Sequence, residues 1–138
     1  MKQDPGHLAE TFYDAFNRGA LDEALEVFST ECDFYEPVRG EIGIDQFRLN
    51  LESYKTAMPD SKMNIESTLV KGSALALEGT FSGSQTGILV GPNVQFPPSN
   101  KDLSIRFSVF MKVARGKIVS HHLYFNQLEL VTQLGLLD

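Results

Sequence analysis

The sequence lacks the residues and motifs that mark several large classes of protein. Its 138 residues include one cysteine, Cys32, which has no partner for an intramolecular disulfide. No C-x-x-C motif and no histidine–cysteine cluster has the spacing of metal ligands, and no glycine-rich segment has the strand-to-helix setting of a nucleotide-binding loop. A reducing cytoplasm therefore fits the chain best, and we expect no metal site.

Positive charge is scarce as well. Lysine and arginine number 12 against 18 acidic residues, which gives a net charge of -6 and an isoelectric point of about 5.0. This balance offers no electrostatic attraction for nucleic acid or an anionic membrane. The N-terminus is polar where a secretory signal needs an apolar run, and nowhere do roughly 18 apolar residues run together. We expect a soluble, unprocessed protein whose partners are neutral or apolar.

Helices are predicted mainly in the first half of the chain. Asp4 followed by Pro5 is typical of a helix start, and apolar residues at helical spacing extend this helix over 5–18. The same spacing predicts a short helix over 21–28 and an amphipathic helix over 44–58.

Strands are predicted mainly in the second half. A short strand at 32–37 comes first, and residues 63–70 and 74–81 then form one predicted hairpin. Residues 103–113 and 117–126 form another, around a turn that contains glycine.

Two further segments complete the predicted order. Loop 87–100 is rich in glycine and proline, which excludes a central strand although the loop keeps large apolar residues. Residues 128–134 are predicted to form a terminal helical turn. Helices first and antiparallel strands later predict a single α+β domain over 1–138, with helices packed on one face of a curved sheet.

Alternation along the last hairpin predicts which side chains face inward. Strand 103–113 has one apolar face, which we expect to lie in the core: Leu103, Ile105, Phe107, Val109, Met111 and Val113. Its partner strand has a more apolar set that we expect to face the same way: Val119, His121, Leu123 and Phe125. His121 is then the inward histidine of the adjacent pair, and His122 lies on the surface or in a dimer interface.

A histidine among apolar neighbours needs a hydrogen-bond partner or loses its charge. One interpretation makes His121 a satisfied core or pocket histidine, and the other makes it a general acid/base or a hydrogen-bond donor to a ligand carbonyl. Tyr35 and Glu36 are the candidate partners. Tyr13 and Tyr54 lie on helix faces that can line a cavity, although core aromatics need no function.

Several segments together resemble one known family. They are FYDAFNRGALDEALEVFSTECDFYEP, RGEIGIDQF, the Met58-Pro59-Asp60 sequence, GTFSGSQTG, FPPSNKDLSIRF and GKIVSHHLYFNQLELVTQLG. Their order and spacing are similar to those of SnoaL-like proteins, in the nuclear-transport-factor-2-like superfamily. The resemblance covers nearly the whole chain.

The resemblance implies a cone-shaped fold, in which a curved antiparallel sheet wraps around three N-terminal helices. It also implies an apolar pocket at the open end and a homodimer packed through the outer face of the sheet. Some members are polyketide cyclases, which close a ring by an intramolecular aldol reaction without metal or organic cofactor. The residues expected to line the pocket are Tyr13, Tyr35, Tyr54, Met58, Phe107, Val109, His121 and Leu123.

This sequence departs from the cyclases at the positions that do their chemistry. The resemblance places the acid/base aspartate at Leu123 and the assisting histidine at Val109, and both are apolar here. One hypothesis is therefore a pocket that binds a small hydrophobic, polyketide-like molecule without chemistry. A second is a metal-free aldol cyclase or isomerase with His121 as the acid/base.

A third hypothesis is a non-catalytic dimeric interaction module. It predicts a mixed polar and aromatic interface on the opposite face of the last hairpin, formed by Ser104, Arg106, Ser108, Phe110, His122 and Tyr124.

Overall fold

The helices follow the spacing of apolar residues in the sequence. In the computed structural model, which describes residues 4–136, they are α1 (Pro5–Arg18), α2 (Leu21–Glu26), α3 (Ile44–Ala57) and α4 (Gln127–Gln133). The Asp4 carboxylate caps α1 by accepting a hydrogen bond from the backbone N–H of His7 at 2.7 Å. Gly19 ends this helix with a φ of 78°, in the left-handed region that favours glycine.

The second helix is shorter than predicted. It ends at Glu26, and Phe28 instead begins the first strand, where it pairs with Ile118. A buried strand residue directly after a helix continues the apolar spacing of that helix, so periodicity alone does not mark the boundary.

Within residues 4–136 the structure has eight strands, of which five follow the predicted order and three short ones, of two or three residues each, were not predicted. The eight strands are β1 (Phe28–Glu36), β2 (Gly40–Ile42), β3 (Lys62–Lys71), β4 (Ala74–Ser84), β5 (Leu89–Val90), β6 (Gln95–Phe96), β7 (Asp102–Ala114) and β8 (Lys117–Phe125). Six form one sheet in the order β2-β1-β8-β7-β4-β3, and β5 pairs with β6 in a separate small hairpin. The predicted α+β fold with a curved sheet is confirmed. Its neighbouring strands are antiparallel except β1 and β8, which run parallel.

One face of the sheet forms the core with the helices. The six β7 residues predicted to face inward are all buried, and the residues between them are exposed or half-buried. The periodicity breaks on β8, because the register with β7 shifts between Lys112 and Val113. Val119 is the extra residue at this bulge, and the inward position predicted for it belongs to Ile118, which is fully buried.

Aromatic rings from both layers meet in the centre of the core. Phe12 of α1 and Phe47 of α3 pack against Phe28 and Phe34 of β1, with ring centroids 4.2–6.0 Å apart in the contacting pairs. We call these four residues the phenylalanine cluster. Large apolar side chains that interlock in this way hold the helices against the sheet.

The last helix packs against β7. The Asn126 side chain caps α4 by accepting hydrogen bonds from Leu128 and Glu129, and Gln133 bonds both backbone groups of Ser104 on β7, at 2.7 and 3.0 Å. These contacts place α4 beside the opening between α3 and the sheet. Within residues 4–136 no helix has the length and apolar character needed to cross a membrane.

Candidate functional site

An apolar cavity lies between α1, α3 and the inner face of the sheet. Its volume is about 30 Å³, and we call it the inner cavity. The lining residues are Phe12, Tyr13, Phe34, Tyr35, Glu36, Ile42, Phe47, Asn50, Leu51, Tyr54, Met63, Phe107, Val109, His121 and Leu123. Seven of the eight residues predicted for the pocket are therefore brought together around one cavity.

Met58, the eighth predicted residue, does not line this cavity. It is fully buried, and a Cβ atom on Gly83 of β4 would lie 3.2 Å from its own Cβ. Helical spacing placed Met58 on the same face as Tyr54, but α3 ends at Ala57 and the backbone of Met58 leaves the helical conformation. Its side chain consequently packs against β4.

His121 faces inward, as predicted, and lies against all four rings of the phenylalanine cluster. The distances from its ring centroid to theirs are 5.2–6.0 Å, and only 3% of the residue is exposed. Within residues 4–136 its Nε2 atom has no hydrogen-bond partner. Neither Tyr35 nor Glu36, the predicted partners, bonds it.

Burial also sets the charge of His121. Desolvation lowers the pKa of the ring to about 3, while a hydrogen bond with its own backbone acts in the opposite direction. In the neutral ring one nitrogen donates a hydrogen bond and the other accepts one. In either role, Nε2 can form a hydrogen bond that the described residues do not supply.

Tyr13 brings a second unpartnered polar atom to the same cavity. Its residue is 4% exposed, and its hydroxyl has no hydrogen-bond partner within residues 4–136. Desolvation raises the pKa of this hydroxyl above its usual range, so it stays protonated. Because an unmade hydrogen bond on a buried group costs about 1–3 kcal/mol, two such groups on one apolar cavity need explanation.

The two residues at the end of β1 face opposite sides. The Tyr35 ring lies 6.1 Å from that of His122 and 5.4 Å from that of Tyr124, on the outer face of the sheet. Glu36 is 5% exposed and lines the inner cavity. Tyr35 thus borders the inner cavity although its ring lies on the outer face. Glu36 was not predicted for the pocket, although it shares the inward face of β1 with Phe34 by simple alternation.

Glu36 also borders a larger cavity beside the first. This second cavity of about 250 Å³, which we call the mouth cavity, shares Glu36, Asn50 and Tyr54 with the inner cavity. Its other lining residues come mainly from the β5–β6 hairpin and α4, and they include Leu89, Val90, Val94, Phe96, Leu130 and Val131. Sequence reasoning did not find these residues, although the apolar residues retained in loop 87–100 were a signal for them.

A buried glutamine holds the β5–β6 hairpin over the mouth cavity. The Gln85 side chain donates to the carbonyl oxygens of Gly87 and Pro97, each at 3.1 Å, and accepts from the backbone N–H of Ser99 at 3.3 Å. It therefore joins both ends of the loop. Gln85 is fully buried, and a well-satisfied buried amide of this kind fixes the path of the backbone.

The positions that the family resemblance assigns to acid/base residues are apolar in the structure too. Val109 and Leu123 are paired across β7 and β8 and both line the inner cavity. Neither can exchange a proton with a substrate. Within residues 4–136 no group of three or more histidine, cysteine or carboxylate residues has an arrangement that could hold a metal ion.

The outer face of the sheet has a different character. His122 bonds the Asp33 carboxylate at 2.8 Å, and the neighbouring rings of Phe110 and Tyr124 are 56% and 43% exposed. Leu69 on β3 is also largely exposed. This face forms a mixed polar and aromatic surface outside both cavities.

Comparison with known proteins identifies relatives of the whole chain. A family model described as SnoaL-like polyketide cyclase matches residues 7–134. No sequence among curated proteins matches the chain.

Solved structures of bacterial proteins share the fold. TsrD from Streptomyces laurentii has a TM-score of 0.81 and 24% identity, with 99% of this chain and 100% of that chain covered. AclR from Streptomyces galilaeus, named as a candidate hydroxylase, has a TM-score of 0.85 and 22% identity, with 96% and 82% covered. IdmH from Streptomyces antibioticus, named as a candidate polyketide cyclase, has a TM-score of 0.81 and 18% identity, with 96% and 99% covered. The TM-scores show that these proteins and this chain have a common fold.

Proposed function

The chain belongs to the SnoaL-like polyketide cyclase family, and we propose that it binds a small hydrophobic, polyketide-like molecule in its two cavities. The observation that carries this proposal is a pair of buried polar atoms on one apolar cavity, the Tyr13 hydroxyl and His121 Nε2, that have no partner among residues 4–136. A ligand with oxygen groups satisfies both.

Each of the two atoms can bond an oxygen group of a ligand. The protonated Tyr13 hydroxyl can donate a hydrogen bond to a ketone or ester carbonyl, and His121 Nε2 can donate or accept one, according to the tautomer of its neutral ring. Around them the cavity walls are mainly aromatic and aliphatic. A mostly apolar ligand with a few oxygen atoms fits this arrangement better than a charged one, because a charged group would lose its hydration.

Cavity size suggests how the ligand lies. The inner cavity has room for roughly one water-sized group, whereas the mouth cavity of about 250 Å³ approaches the lower end of the range for small-molecule sites, about 300–1,000 Å³. We place the body of the ligand in the mouth cavity, between the β5–β6 hairpin and α4. An oxygen-bearing end then reaches Tyr13 and His121.

A thermal-shift screen tests this proposal. The panel contains aromatic polyketides, their esters, terpenes and fatty acids. A ligand at 100 times its dissociation constant stabilises the native state by about 2.7 kcal/mol, which is several degrees for a domain of this size. Failure of every class to stabilise the protein contradicts the proposal.

Matched variants locate the binding site. Tyr13→Phe and His121→Leu each remove one polar atom from the inner cavity, and we expect each to weaken binding of a hit about tenfold, equivalent to about 1.4 kcal/mol. Tyr124→Phe and His122→Leu make the same changes on the outer face and serve as controls. Equal effects in both sets place the ligand elsewhere.

Acid/base chemistry by His121 is the less favoured function. The ideal proton acceptor at neutral pH has a pKa near 7, whereas burial lowers the pKa of His121 to about 3. His121 is therefore suited to hydrogen bonding as a neutral ring. A cyclase or isomerase activity in this chain needs a different proton acceptor.

We also propose that the protein forms a homodimer through the outer face of the sheet. Exposed apolar side chains on this face, among them Leu69 and Phe110, support the proposal, since burial of such a patch favours association. Phe110→Asp, which places a charge in the patch, should convert the dimer into a monomer in analytical ultracentrifugation. Asp102→Asn, at the far end of β7, is the control, and a wild-type protein that is monomeric at micromolar concentration contradicts the proposal.

A further inference from the structure

We propose that Glu36 is the proton acceptor of an enolisation activity towards a ketone bound in the two cavities. This inference rests on the proposed binding function and adds chemistry to it. The observation behind it is a buried carboxylate that borders both the inner cavity and the mouth cavity.

The surroundings of Glu36 leave it able to take a proton. Its side chain accepts one hydrogen bond, from the backbone N–H of Arg39. In the part of the chain from 4 to 136, no basic side chain lies within 4.0 Å of its carboxylate. A carboxylate accepts roughly four hydrogen bonds, so lone pairs remain for a substrate. The Arg39 N–H meanwhile fixes the orientation of the group.

Position is the second argument. Glu36 lies where the mouth cavity meets the inner cavity, beside Asn50 and Tyr54, which border both. A ketone whose body lies in the mouth cavity and whose oxygen reaches the inner cavity has its α-carbon near this junction. Val109 and Leu123, the positions that the family resemblance assigns to acid/base residues, carry no group that can accept a proton.

Tyr13 supplies the complementary group. Its hydroxyl is buried, protonated and without a partner in the described structure, and it lines the same inner cavity as Glu36. A donor in a site from which water is excluded stabilises the negative charge that develops on the carbonyl oxygen of an enolate. We assign Tyr13 this role, with the neutral His121 ring beside it as a hydrogen-bond partner for a hydroxyl of the substrate.

The proposed step is balanced within the substrate and Glu36. The carboxylate takes a proton from the carbon next to the carbonyl, and the electron pair of that C–H bond forms a carbon–carbon double bond. The carbonyl π electrons move to the oxygen, which accepts the hydrogen bond of Tyr13. The Glu36 carboxylic acid then exchanges its proton with solvent, and in D₂O it returns a deuteron to the carbon. This regenerates the ketone with deuterium in place of the α-proton, and no oxidant or reductant is needed.

Deuterium exchange measures this step directly. The full-length protein is incubated with 2-tetralone in D₂O near neutral pD, loss of the α-proton signals is followed by NMR, and the rate in buffer is subtracted. Binding of 2-tetralone is measured separately by calorimetry for every variant. We expect the wild-type protein to accelerate exchange.

Three substitutions of β1 glutamates test the role of Glu36. Glu36→Gln keeps an acceptor for Arg39 N–H but removes the base, and we expect the protein-dependent rate to fall about 100-fold or more while the affinity changes less than threefold. Glu36→Asp withdraws the carboxylate by one methylene, and its exchange rate should lie between those of the wild type and Glu36→Gln. Glu31→Gln, an exposed residue on the same strand, makes the same charge change outside the cavities and should leave the rate unchanged.

The role of Tyr13 is tested with its outer-face counterpart. Tyr13→Phe should lower the exchange rate at saturating 2-tetralone at least tenfold, because the enolate oxygen loses its donor. Tyr124→Phe should not change it.

The outcomes separate this inference from the binding function. Unchanged exchange in a folded Glu36→Gln protein, or saturable binding of 2-tetralone with no acceleration by the wild type, overturns the inference and leaves the binding function standing. Lack of calorimetric binding of 2-tetralone also overturns it, and the ligand panel then decides the binding function independently. If Glu36→Gln does not fold, a wild-type rate in Glu36→Asp overturns the inference.

Discussion

Two adjacent histidines of β8 lie in opposite environments. His121 faces inward among four phenylalanine rings, is 3% exposed, and its Nε2 has no partner in the described part of the chain. His122 faces outward, where it bonds the Asp33 carboxylate at 2.8 Å and lies near Ser120. Within one protomer, the same side chain is thus buried on the inner face of the sheet and partly accessible to solvent on the outer face.

This difference shows where the fold tolerates an unsatisfied group. On the outer face, each polar atom can bond water or a neighbouring side chain, so its free-energy cost is small. On the inner face, Tyr13 and His121 bear the full cost of a missing hydrogen bond. Such a cost is retained most readily where a ligand removes it, which is why the inner face carries the proposed site.

Substitution of each β8 histidine by lysine should give the largest difference in stability between positions 121 and 122. His121→Lys places an ammonium group among the phenylalanine rings, and an uncompensated buried charge of this kind costs about 3–5 kcal/mol. We expect the melting temperature to fall by roughly 10–20 °C in calorimetry. His122→Lys, on the hydrated face, should stay within a few degrees of the wild type, and similar losses for both contradict the comparison.

A lower pH should also reduce the stability of the folded protein through His121, by a smaller amount. The pKa of His121 is lowered from 6.5 to about 3 in the folded protein, so below pH 6.5 the unfolded state binds a proton that the folded state does not. Stability is therefore lost as the pH falls from 6.5 towards 3. This group should cost about 2 kcal/mol more at pH 5 than at pH 7.

Urea unfolding at both pH values measures this loss. His121→Leu should remove about 2 kcal/mol of the pH dependence, while His122→Leu should keep it. A His121→Leu protein as acid-sensitive as the wild type would show that His121 is solvated.

Two tyrosine substitutions sharpen the comparison further. Tyr13→Phe removes a buried hydroxyl without a partner, and we expect the unliganded protein to gain about 1 kcal/mol in free energy of unfolding. Tyr124→Phe removes an exposed hydroxyl and should change stability by less than about 0.5 kcal/mol. Chemical denaturation is the measurement, and a loss of stability in Tyr13→Phe would mean that this hydroxyl is hydrogen-bonded.

The smallest expected effect is the coupling energy between His122 and Asp33 on the outer face. A partly exposed pair such as His122 and Asp33 typically contributes about 0–1 kcal/mol. A double-mutant cycle with His122→Ala and Asp33→Ala should therefore give a coupling energy below about 1 kcal/mol that falls with added salt. The cycle is measured at protein concentrations at which the chain is monomeric, and a larger coupling there would show that the pair is desolvated within one protomer.

The long elements were predictable because their periodicity is strong. Helices α1 and α3 and the inward face of β7 follow from spacing alone, and alternation also identified His121 as the inward histidine. Errors arose where a local irregularity changed the phase. The bulge at Val119 moved Ile118 inward, and the end of α3 turned Met58 towards β4, since neither a bulge nor a helix end leaves a clear periodic signal.

The site was only partly predictable. Tyr35 and Glu36 were both predicted as partners of His121, and only Tyr35 was placed in the pocket. In the structure both residues border the inner cavity, and Glu36 also borders the mouth cavity. The mouth cavity is formed by a loop and a terminal helix that lie far apart in the sequence, and no local pattern indicates that they meet.

From the sequence alone, the resemblance and the order of helices and strands determined the fold, and alternation determined the inward face of the last hairpin. Both depend on near-neighbour spacing, which repeats along the chain. Only the tertiary structure decided that Glu36 borders two cavities, and that the Tyr13 hydroxyl and His121 Nε2 find no partner in the described part of the chain. Hydrogen-bond satisfaction and burial depend on which distant segments pack together, and that is a property of the folded molecule as a whole.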